Sequence, residues 1–202
     1  MLIFDPNRQL SGFKNIPYLL SPINDNPDYF VSALVWVIDE IQRRRKLLKE
    51  VNVKSISAYN QLPGYQNLPS IVVIIDNLAK LSKTDRSPYG FVFKIIEDGV
   101  NVGIHLIISD ENITPDILRK LPKNPFLITF QLATKQDSNL ILGQSIAEKL
   151  LGRGDMLIKE SKNAFSKRIQ ATFISPAEIE LLVDFIINNN KEFNEDFKDI
   201  DS

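Results

Sequence analysis

The residues with the clearest chemical potential are an acid and an amide at the end of an apolar run. The segment 68–76 reads Leu-Pro-Ser-Ile-Val-Val-Ile-Ile-Asp, and Asn77 follows Asp76. An apolar strand that ends in aspartate is typical of sites where the carboxylate lies beside the magnesium ion of a bound nucleotide. Such sites also need the phosphate-binding loop G-x-x-x-x-G-K-[ST], which the eight glycines never spell. The sequence predicts half of a nucleotide site, or else a strand-end aspartate that caps the next turn.

A second candidate is the basic run 43–46, which reads Arg-Arg-Arg-Lys. Through Arg43 and Arg44 it is a candidate contact for DNA phosphates or for an acidic partner. Four adjacent cations circle a helix, so they cannot all face one ligand. A solvated helix face is the alternative interpretation.

The composition restricts the classes of function. The chain has 202 residues, 44% hydrophobic content and a net charge of −1, which suits one globular domain. It has no cysteine and a single histidine, His105, which excludes disulfides and a His-rich zinc cluster. The apolar runs are shorter than the roughly 20 residues that cross a membrane. We therefore expect a cytoplasmic location, with any membrane association supplied by a partner or a region outside this chain.

Strand-sized apolar segments alternate with helical patterns, as a parallel α/β sheet requires. The predicted strands of this sheet are 2–5, 71–76, 104–109 and 126–132, and His105 is expected to be buried in the third of these segments. The predicted helices are 28–50 with Asp28 as its cap, 55–60, 89–101, 114–121 opened by Thr114, 138–143, and 176–188 capped by Ser175. Residues 155–158 and 168–174 are predicted to pair as antiparallel edge strands.

We expect residues 1–188 to form one α/β layer sandwich and residues 189–202 to form an acidic, disordered tail.

Several motifs in this order resemble the FtsK/SpoIIIE family of DNA translocases. They are Ile3-Phe-Asp-Pro6, the segment 12–20, Ala33-Leu-Val-Trp36, Arg43-Arg44, the segment 53–60, the strand 68–76, Gly103-Ile-His-Leu-Ile107, Lys135-Gln-Asp-Ser138 and Leu150-Leu-Gly-Arg-Gly-Asp-Met-Leu157. Each is weak alone, but together they cover nearly the whole chain.

The resemblance implies a RecA-like P-loop NTPase-type fold, with a mostly parallel sheet, helices on both faces and an incomplete N-terminal side. It also implies ATP and Mg²⁺ as the family's cofactors, double-stranded DNA as the substrate, and a homo-oligomeric or hetero-oligomeric ring that includes a chain with a P-loop. The cellular process would be chromosome segregation, cell division or conjugation. The resemblance suggests subunit-interface roles for Lys135, Asp137, Ser138 and Arg153. The local alternatives are a helix start capped by Asp137 or Ser138, and an exposed arginine in a tight turn.

The departures from the family pattern fall at the chemistry. The family's acidic strand ends Asp-Glu, whereas this chain has Asp76-Asn77, and an amide cannot take a proton from water. The family's sensor segment A-T-Q-R-P is replaced by Ser109-Asp-Glu-Asn-Ile113, and its usual arginine after Lys135-Gln-Asp-Ser is Asn139. We therefore expect a truncated, degenerate motor domain that does not hydrolyse ATP alone, with Asp76 as a vestige of the Mg·ATP site. The alternative is a non-catalytic docking subunit of a translocase or secretion ATPase ring.

Overall fold

The computed structural model describes residues 1–82, 88–111, 115–121, 125–161 and 164–189. The chain divides into two compact units. The first unit is Met1–Glu111 with the C-terminal segment from Pro176, and the second unit is Asn112–Ser175. The prediction of a single domain over residues 1–188 concerns how these units combine, and it stays a prediction. The predicted tail lies outside the described residues, apart from Asn189.

The described elements follow the predicted alternation of strands and helices, and the α/β class is confirmed. The strands are β1 (Leu2–Phe4), β2 (Ile71–Ile75), β3 (Ile104–Ile108), β4 (Leu127–Thr129), β5 (Asp155–Lys159) and β6 (Lys167–Gln170). The helices are α1 (Pro27–Glu50), α2 (Ile56–Tyr59), α3 (Leu78–Leu81), α4 (Tyr89–Asp98), α5 (Pro115–Lys120), α6 (Lys135–Leu142) and α7 (Pro176–Asn189). The predicted cap of α5, Thr114, lies outside the described residues.

The first unit is built on a parallel sheet in the order β1-β2-β3. The register places Val73 of the central strand opposite Leu2 on one side and Leu106 on the other. Because the three strands are parallel, their carboxyl ends meet at one edge of the sheet. The residues that follow each strand are thereby brought together.

Helix α1 begins one residue earlier than the sequence pattern predicts. Its cap is Asn26, whose side-chain oxygen accepts hydrogen bonds from the backbone N–H groups of Asp28 at 2.8 Å and Tyr29 at 3.4 Å. The predicted cap, Asp28, lies inside the first turn. The reason is Pro27, because proline lacks an N–H and its fixed φ suits the first helical position, so the residue before it becomes the cap.

The core of the first unit lies between one face of the parallel sheet and helices α1 and α4. Phe4 and Phe30 pack edge to face in it, with ring centroids 4.9 Å apart. The buried apolar side chains of α1 recur at helical spacing, and the buried residues of β2 alternate along the strand. These two periodicities determine which face of each element packs inward.

His105 contradicts the prediction that it is buried. It is exposed, and so is Ile107, at 55%. Their neighbour Ile104 is 1% exposed and belongs to the core. Within the described sheet β3 is an edge strand, and successive side chains point to opposite faces. The apolar run around His105 therefore does not imply burial on both faces.

Helix α7 returns to the first unit and packs on the short turn Ser11–Phe13. A Cβ atom on Gly12 would lie 3.1 Å from Ile179 Cγ2, so glycine allows this close approach. Val183 is the buried residue of α7 among those described. The predicted helix over 176–188 is confirmed.

The second unit contains an antiparallel sheet in the order β4-β5-β6. The predicted antiparallel pairing of the last two strands is confirmed, with Met156 opposite Ile169. The prediction that segment 126–132 joins the parallel sheet is wrong, because β4 pairs antiparallel with β5. A short apolar run does not specify its partner strand, and here it alternates, with Ile128 51% and Thr129 5% exposed.

One face of this sheet packs on a small core. Leu142, Ala147, Leu150 and Leu157 form this core.

Across all the described ranges, no helix has both the length and the apolar character needed to cross a membrane.

Candidate functional site

The candidate site lies at the edge where the three parallel strands end. Asp5, Asp76 and Ser109 come directly after β1, β2 and β3. The Ser109 hydroxyl donates a short hydrogen bond to Asp76 Oδ1, and Asn7 Nδ2 donates to Oδ2 across 3.5 Å. The sequence therefore placed Asp76 correctly at the strand end. The structure adds that protein donors contact both of its carboxylate oxygens.

Asp5 has a different role from Asp76 although both follow strands. It is 1% exposed and accepts hydrogen bonds from the backbone N–H groups of Asn7 at 3.2 Å and Leu10 at 2.6 Å. These bonds fold the chain after β1 and bring the Asn7 side chain to Asp76. Asp5 is therefore a structural residue of this edge.

Asn77 has a structural reason to be an asparagine. Its φ is 56°, in the left-handed region, which asparagine tolerates better than most residues with a side chain. Its side-chain oxygen accepts a hydrogen bond from the Lys80 backbone N–H at 3.0 Å and so caps α3. Its own N–H donates to Ser109 Oγ across 3.3 Å. Asn77 thus links β2, β3 and α3. Its side-chain amide cannot act as a base.

Lys80 and Asp110 complete the edge. Lys80 Nζ donates to Asn7 Oδ1 at 2.8 Å and to the Pro6 carbonyl at 2.9 Å. Asp110 Oδ2 accepts a hydrogen bond from the Ala79 backbone N–H at 3.0 Å. The acidic segment after β3 therefore holds the start of α3.

The described side chains of this edge do not fit ATP and Mg²⁺. Asp76 is the carboxylate predicted for such a site, but Asn77 cannot serve as a general base and Asp110 adds a further acid to the edge. Lys80, the cation of this edge, is bonded to Asn7 and Pro6. In the part of the chain that the structure describes, no three acidic or histidine side chains are grouped as a metal site.

Asn7 and Lys80 were not predicted to belong to this edge. For Asn7 a signal existed, since it lies two residues beyond Asp5, and the ends of parallel strands share one edge. For Lys80 there was no comparable signal, because its contacts with Pro6 and Asn7 span more than 70 residues of chain.

The basic run on α1 is not a free cationic surface. Arg44 is 1% exposed, and its guanidinium donates to Glu40 Oε1 at 2.6 Å and to the carbonyls of Pro69 at 2.9 Å and Val102 at 3.0 Å. The prediction that Arg44 contacts DNA is therefore wrong, because the folded chain encloses its charge. The solvated-face alternative fails for Arg44 for the same reason.

The neighbours of Arg44 are exposed but paired. Arg43 donates to both oxygens of Glu40, at 2.6 and 2.8 Å, and Arg45 donates to Asp98 at 2.6 Å. Burial by itself would raise the pKa of Glu40, but the hydrogen bonds from Arg43 and Arg44 outweigh it and lower that pKa. Arg43 is the member of the predicted DNA-contact pair that solvent reaches.

The predicted interface residues of the second unit divide into buried and exposed. Ser138 is fully buried, where its hydroxyl donates to the Gln144 carbonyl at 2.6 Å and accepts from the N–H groups of Ile146 at 3.0 Å and Ala147 at 2.9 Å. The interface role of Ser138 is therefore wrong, because its polar group is used inside the fold. Lys135 is exposed at the first turn of α6.

The cap of α6 is Thr134, and the predicted caps Asp137 and Ser138 are wrong. Thr134 Oγ1 accepts from the Asp137 N–H at 3.1 Å and donates to Asp137 Oδ2 at 2.6 Å. The reciprocal pair resembles a capping box, in which a side chain at the third helical position supports the cap. Asp137 is nevertheless exposed and remains accessible.

Arg153 lies exposed at the tip of a tight turn. Gly152, Arg153 and Gly154 all have positive φ, of 73°, 52° and 88°. The backbone carbonyl of Arg153 accepts a hydrogen bond from Gln170 Nε2 at 2.8 Å, which ties the turn to β6. Among the described residues, the structure gives the Arg153 guanidinium no ion pair. The turn therefore presents a cation on a fixed backbone.

Comparisons with known proteins show which sequences this chain resembles. The FtsK/SpoIIIE family model matches residues 1–115. The chain is 36% identical over 194 residues to a DNA translocase FtsK of Clostridium tetani and 35% identical over 205 residues to one of Helicobacter pylori. These matches cover 92% and 98% of this chain but 26% and 24% of the relatives, so it spans about a quarter of their length.

Solved structures are similar in fold. The conjugation coupling protein TcpA of pCW3, in a monomer form with ATPγS, matches with a TM-score of 0.77 and 21% identity over 93% of this chain and 55% of that chain. The cytoplasmic domain of the Thermomonospora curvata type VII secretion ATPase EccC matches with a TM-score of 0.74 and 16% identity, over 92% of this chain and 24% of that one. The predicted P-loop NTPase-type fold is confirmed by these matches.

Proposed function

This chain belongs to the FtsK/SpoIIIE family, and we propose that its described residues form a non-hydrolysing part of a DNA-translocase motor. The observation that carries the proposal is the edge formed by Asp76, Asn77 and Ser109. Asp76 accepts hydrogen bonds from protein side chains, and Asn77 caps a helix where hydrolysis needs a base. The edge keeps the position of a catalytic site and uses its residues to join β2, β3 and α3.

The role in a motor rests on similarity. The relatives over nearly the whole chain are DNA translocases, and the structural neighbours include a secretion ATPase and a conjugation coupling protein. Double-stranded DNA is accordingly the proposed substrate of the whole machine, with ATP and Mg²⁺ bound elsewhere in it. A truncated or degenerate status of this chain is part of the same proposal.

The test is phosphate release by the purified chain with ATP, Mg²⁺ and linear double-stranded DNA. We expect a rate equal to that of a mock purification. The matched control is Asp76→Ala, which removes the inherited carboxylate. Release above the mock level that Asp76→Ala abolishes would overturn the proposal, because the activity would then depend on this edge. Phosphate release that survives in Asp76→Ala indicates a contaminating ATPase, and the rate expected for the chain itself is still zero.

A second candidate function, a docking subunit of a translocase or secretion ATPase ring, is favoured by Arg153. An arginine on a fixed turn is suited to pairing with a carboxylate on a neighbouring subunit, because arginine presents its donors in a planar fork. Lys135 and Asp137 are the other proposed contacts. Ser138 is not among the proposed contacts because it is buried.

The docking role is tested by co-purification with a family member that carries a P-loop. We expect Arg153→Glu to reduce recovery of the complex by roughly tenfold, since charge reversal replaces an attraction by a repulsion. The matched control is Lys149→Glu, an exposed cation of the same unit. Equal recovery of both variants and the wild type would remove Arg153 from the interface.

Of the two arginines predicted to contact DNA, Arg43 is exposed and Arg44 is buried, so the proposed contact is made by Arg43. If Arg43 meets a phosphate, Arg43→Ala should weaken DNA binding at all sequences and lower the salt dependence by about one counterion. Unchanged affinity would exclude this contact. Lys149→Ala is a suitable control because Lys149 is an exposed cation outside the run.

A further inference from the structure

The second unit contains a cavity that the proposed function does not use. It has a volume of about 460 Å³ and lies among α5, the end of α6 and the β4–β5 pair. Its walls are mainly apolar, with leucines at 118, 127, 140 and 142. Cavities of roughly 300–1,000 Å³ with apolar walls and a few polar groups are typical of small-molecule sites.

The polar group of this cavity is a buried lysine. Lys159 is the last residue of β5, lies opposite Leu127 in the sheet and is 7% exposed. Its Nζ donates to the Leu142 carbonyl at 2.6 Å, at the C-terminal end of α6. That bond stabilises the helix end and accounts for one of the three N–H groups of an ammonium.

The described walls of the cavity place no carboxylate beside Lys159. Among the described lining residues, Lys159 is the buried cation. No described carboxylate forms a salt bridge with Lys159. A buried ammonium is stabilised when an anion pairs with it, so Lys159 gives the cavity a preference for a negatively charged group.

We propose that this cavity binds an amphipathic monocarboxylate, a small molecule with one carboxylate and an apolar chain. The carboxylate accepts charge-assisted hydrogen bonds from the free N–H groups of Lys159, and the chain lies against the leucines. One carboxylate matches the single buried cation among the described lining residues, and the mainly apolar walls favour an apolar chain over a polyhydroxylated one. The ligand is recognised by charge at one end and by burial along its length.

The test is calorimetric titration of the full chain with decanoate and with 1-decanol, both below the concentrations at which they aggregate. We expect decanoate to bind, and decanol to bind at least roughly tenfold more weakly because it lacks the charged acceptor. Lys159→Met keeps most of the side-chain volume and should lower decanoate affinity by roughly tenfold to hundredfold while leaving decanol affinity unchanged. Lys149→Met, an exposed cation outside the cavity, should change neither affinity.

Lys159→Met also removes the bond to Leu142, so thermal unfolding is measured for each variant. A second variant, Leu118→Trp, keeps Lys159 and fills the cavity, and it should abolish binding of both probes. It decides the question if Lys159→Met does not fold. The proposal is overturned by equal affinities for decanoate and decanol, or by decanoate binding that survives Leu118→Trp. A Leu-Leu-Glu peptide is titrated as a third probe. If only the peptide binds, the cavity is a peptide site and the proposal is wrong.

Discussion

Two arginine–carboxylate pairs with the same shortest N–O distance lie in different surroundings. Arg44 is 2.6 Å from Glu40 in the first unit, and Arg168 is 2.6 Å from Asp155 in the second. The Arg44 side chain is 1% exposed, whereas that of Arg168 is 54% exposed. Arg44 also donates to two carbonyls from distant segments. Because the shortest distances are equal, we expect burial and the number of bonded partners to decide how much each arginine contributes to stability.

The largest expected effect comes from breaking the buried pair. Arg44→Met should lower the free energy of unfolding by roughly 3 kcal/mol, because removal of one member leaves buried partners without a donor. The expected loss stays at the lower end of the usual range since Glu40 keeps Arg43. Urea denaturation measures the change.

The matched control for Arg44 is Arg43→Met, which removes an exposed arginine from the same carboxylate. We expect a loss within about 1 kcal/mol. Equal losses for the two variants would contradict the role assigned to burial.

A somewhat smaller effect is expected at Ser138, which extends the comparison to a neutral group. Ser138→Ala should cost roughly 2 kcal/mol, because the N–H groups of Ile146 and Ala147 lose their acceptor in a buried site. Ser145→Ala, at an exposed position nearby, should change stability by no more than about 0.5 kcal/mol. Similar values for both serines would show that the Ser138 bonds contribute little.

Asn77 tests a half-buried polar group at the candidate site. Asn77→Glu should cost about 1 kcal/mol, since it removes a helix cap and places a residue with no left-handed preference at φ 56°. Asn77→Gly tolerates this φ, and a glycine cap should cost only a few tenths of a kcal/mol. If the glycine variant is the less stable one, the local explanation for Asn77 is wrong.

The smallest effect is expected at the pair whose arginine, Arg168, is exposed, and it is visible as a pH dependence. The hydrogen bond from Arg168, with help from the Leu151 N–H, lowers the pKa of Asp155 to about 2. A carboxylate with a lowered pKa stabilises the fold above its unfolded pKa near 3.8, and this contribution disappears as the pH falls towards 2. Arg168→Ala should make the stability less sensitive to pH in that window.

Denaturation midpoints at pH 5 and pH 2 measure this dependence. The control is Lys167→Ala, since Lys167 is exposed and pairs with Glu160. An unchanged difference between the two midpoints in Arg168→Ala would show that the depression of the Asp155 pKa has another cause.

Much of the fold was predictable from local pattern. The three strands of the parallel sheet and the long helix α1 were predicted within a residue or two, because apolar periodicity and turn residues act over short stretches of chain. Helix caps were less predictable. Asn26 was missed because several polar residues surround the start of α1, and Thr134 was missed because the polar residues Asp137 and Ser138 lie shortly after it.

The candidate site was predicted in part. Asp76 and Asn77 were placed at the end of β2 because a strand end is a local feature. The contacts that occupy Asp76, from Ser109 and Asn7, depend on how three strands align, which no single segment specifies. His105 was misjudged because burial of a strand depends on what covers each face.

The sequence by itself determined the family, the position of the acid–amide pair and the alternation of strands and helices, since each is expressed in neighbouring residues. Only the tertiary structure decided that β4 joins an antiparallel sheet, that Ser138 is internal and that Arg44 is enclosed. Arg44 makes its carbonyl contacts across 25 and 58 residues of chain. Burial is a property of such distant partners, so a charged residue that reads as surface in the sequence becomes part of the core when they meet.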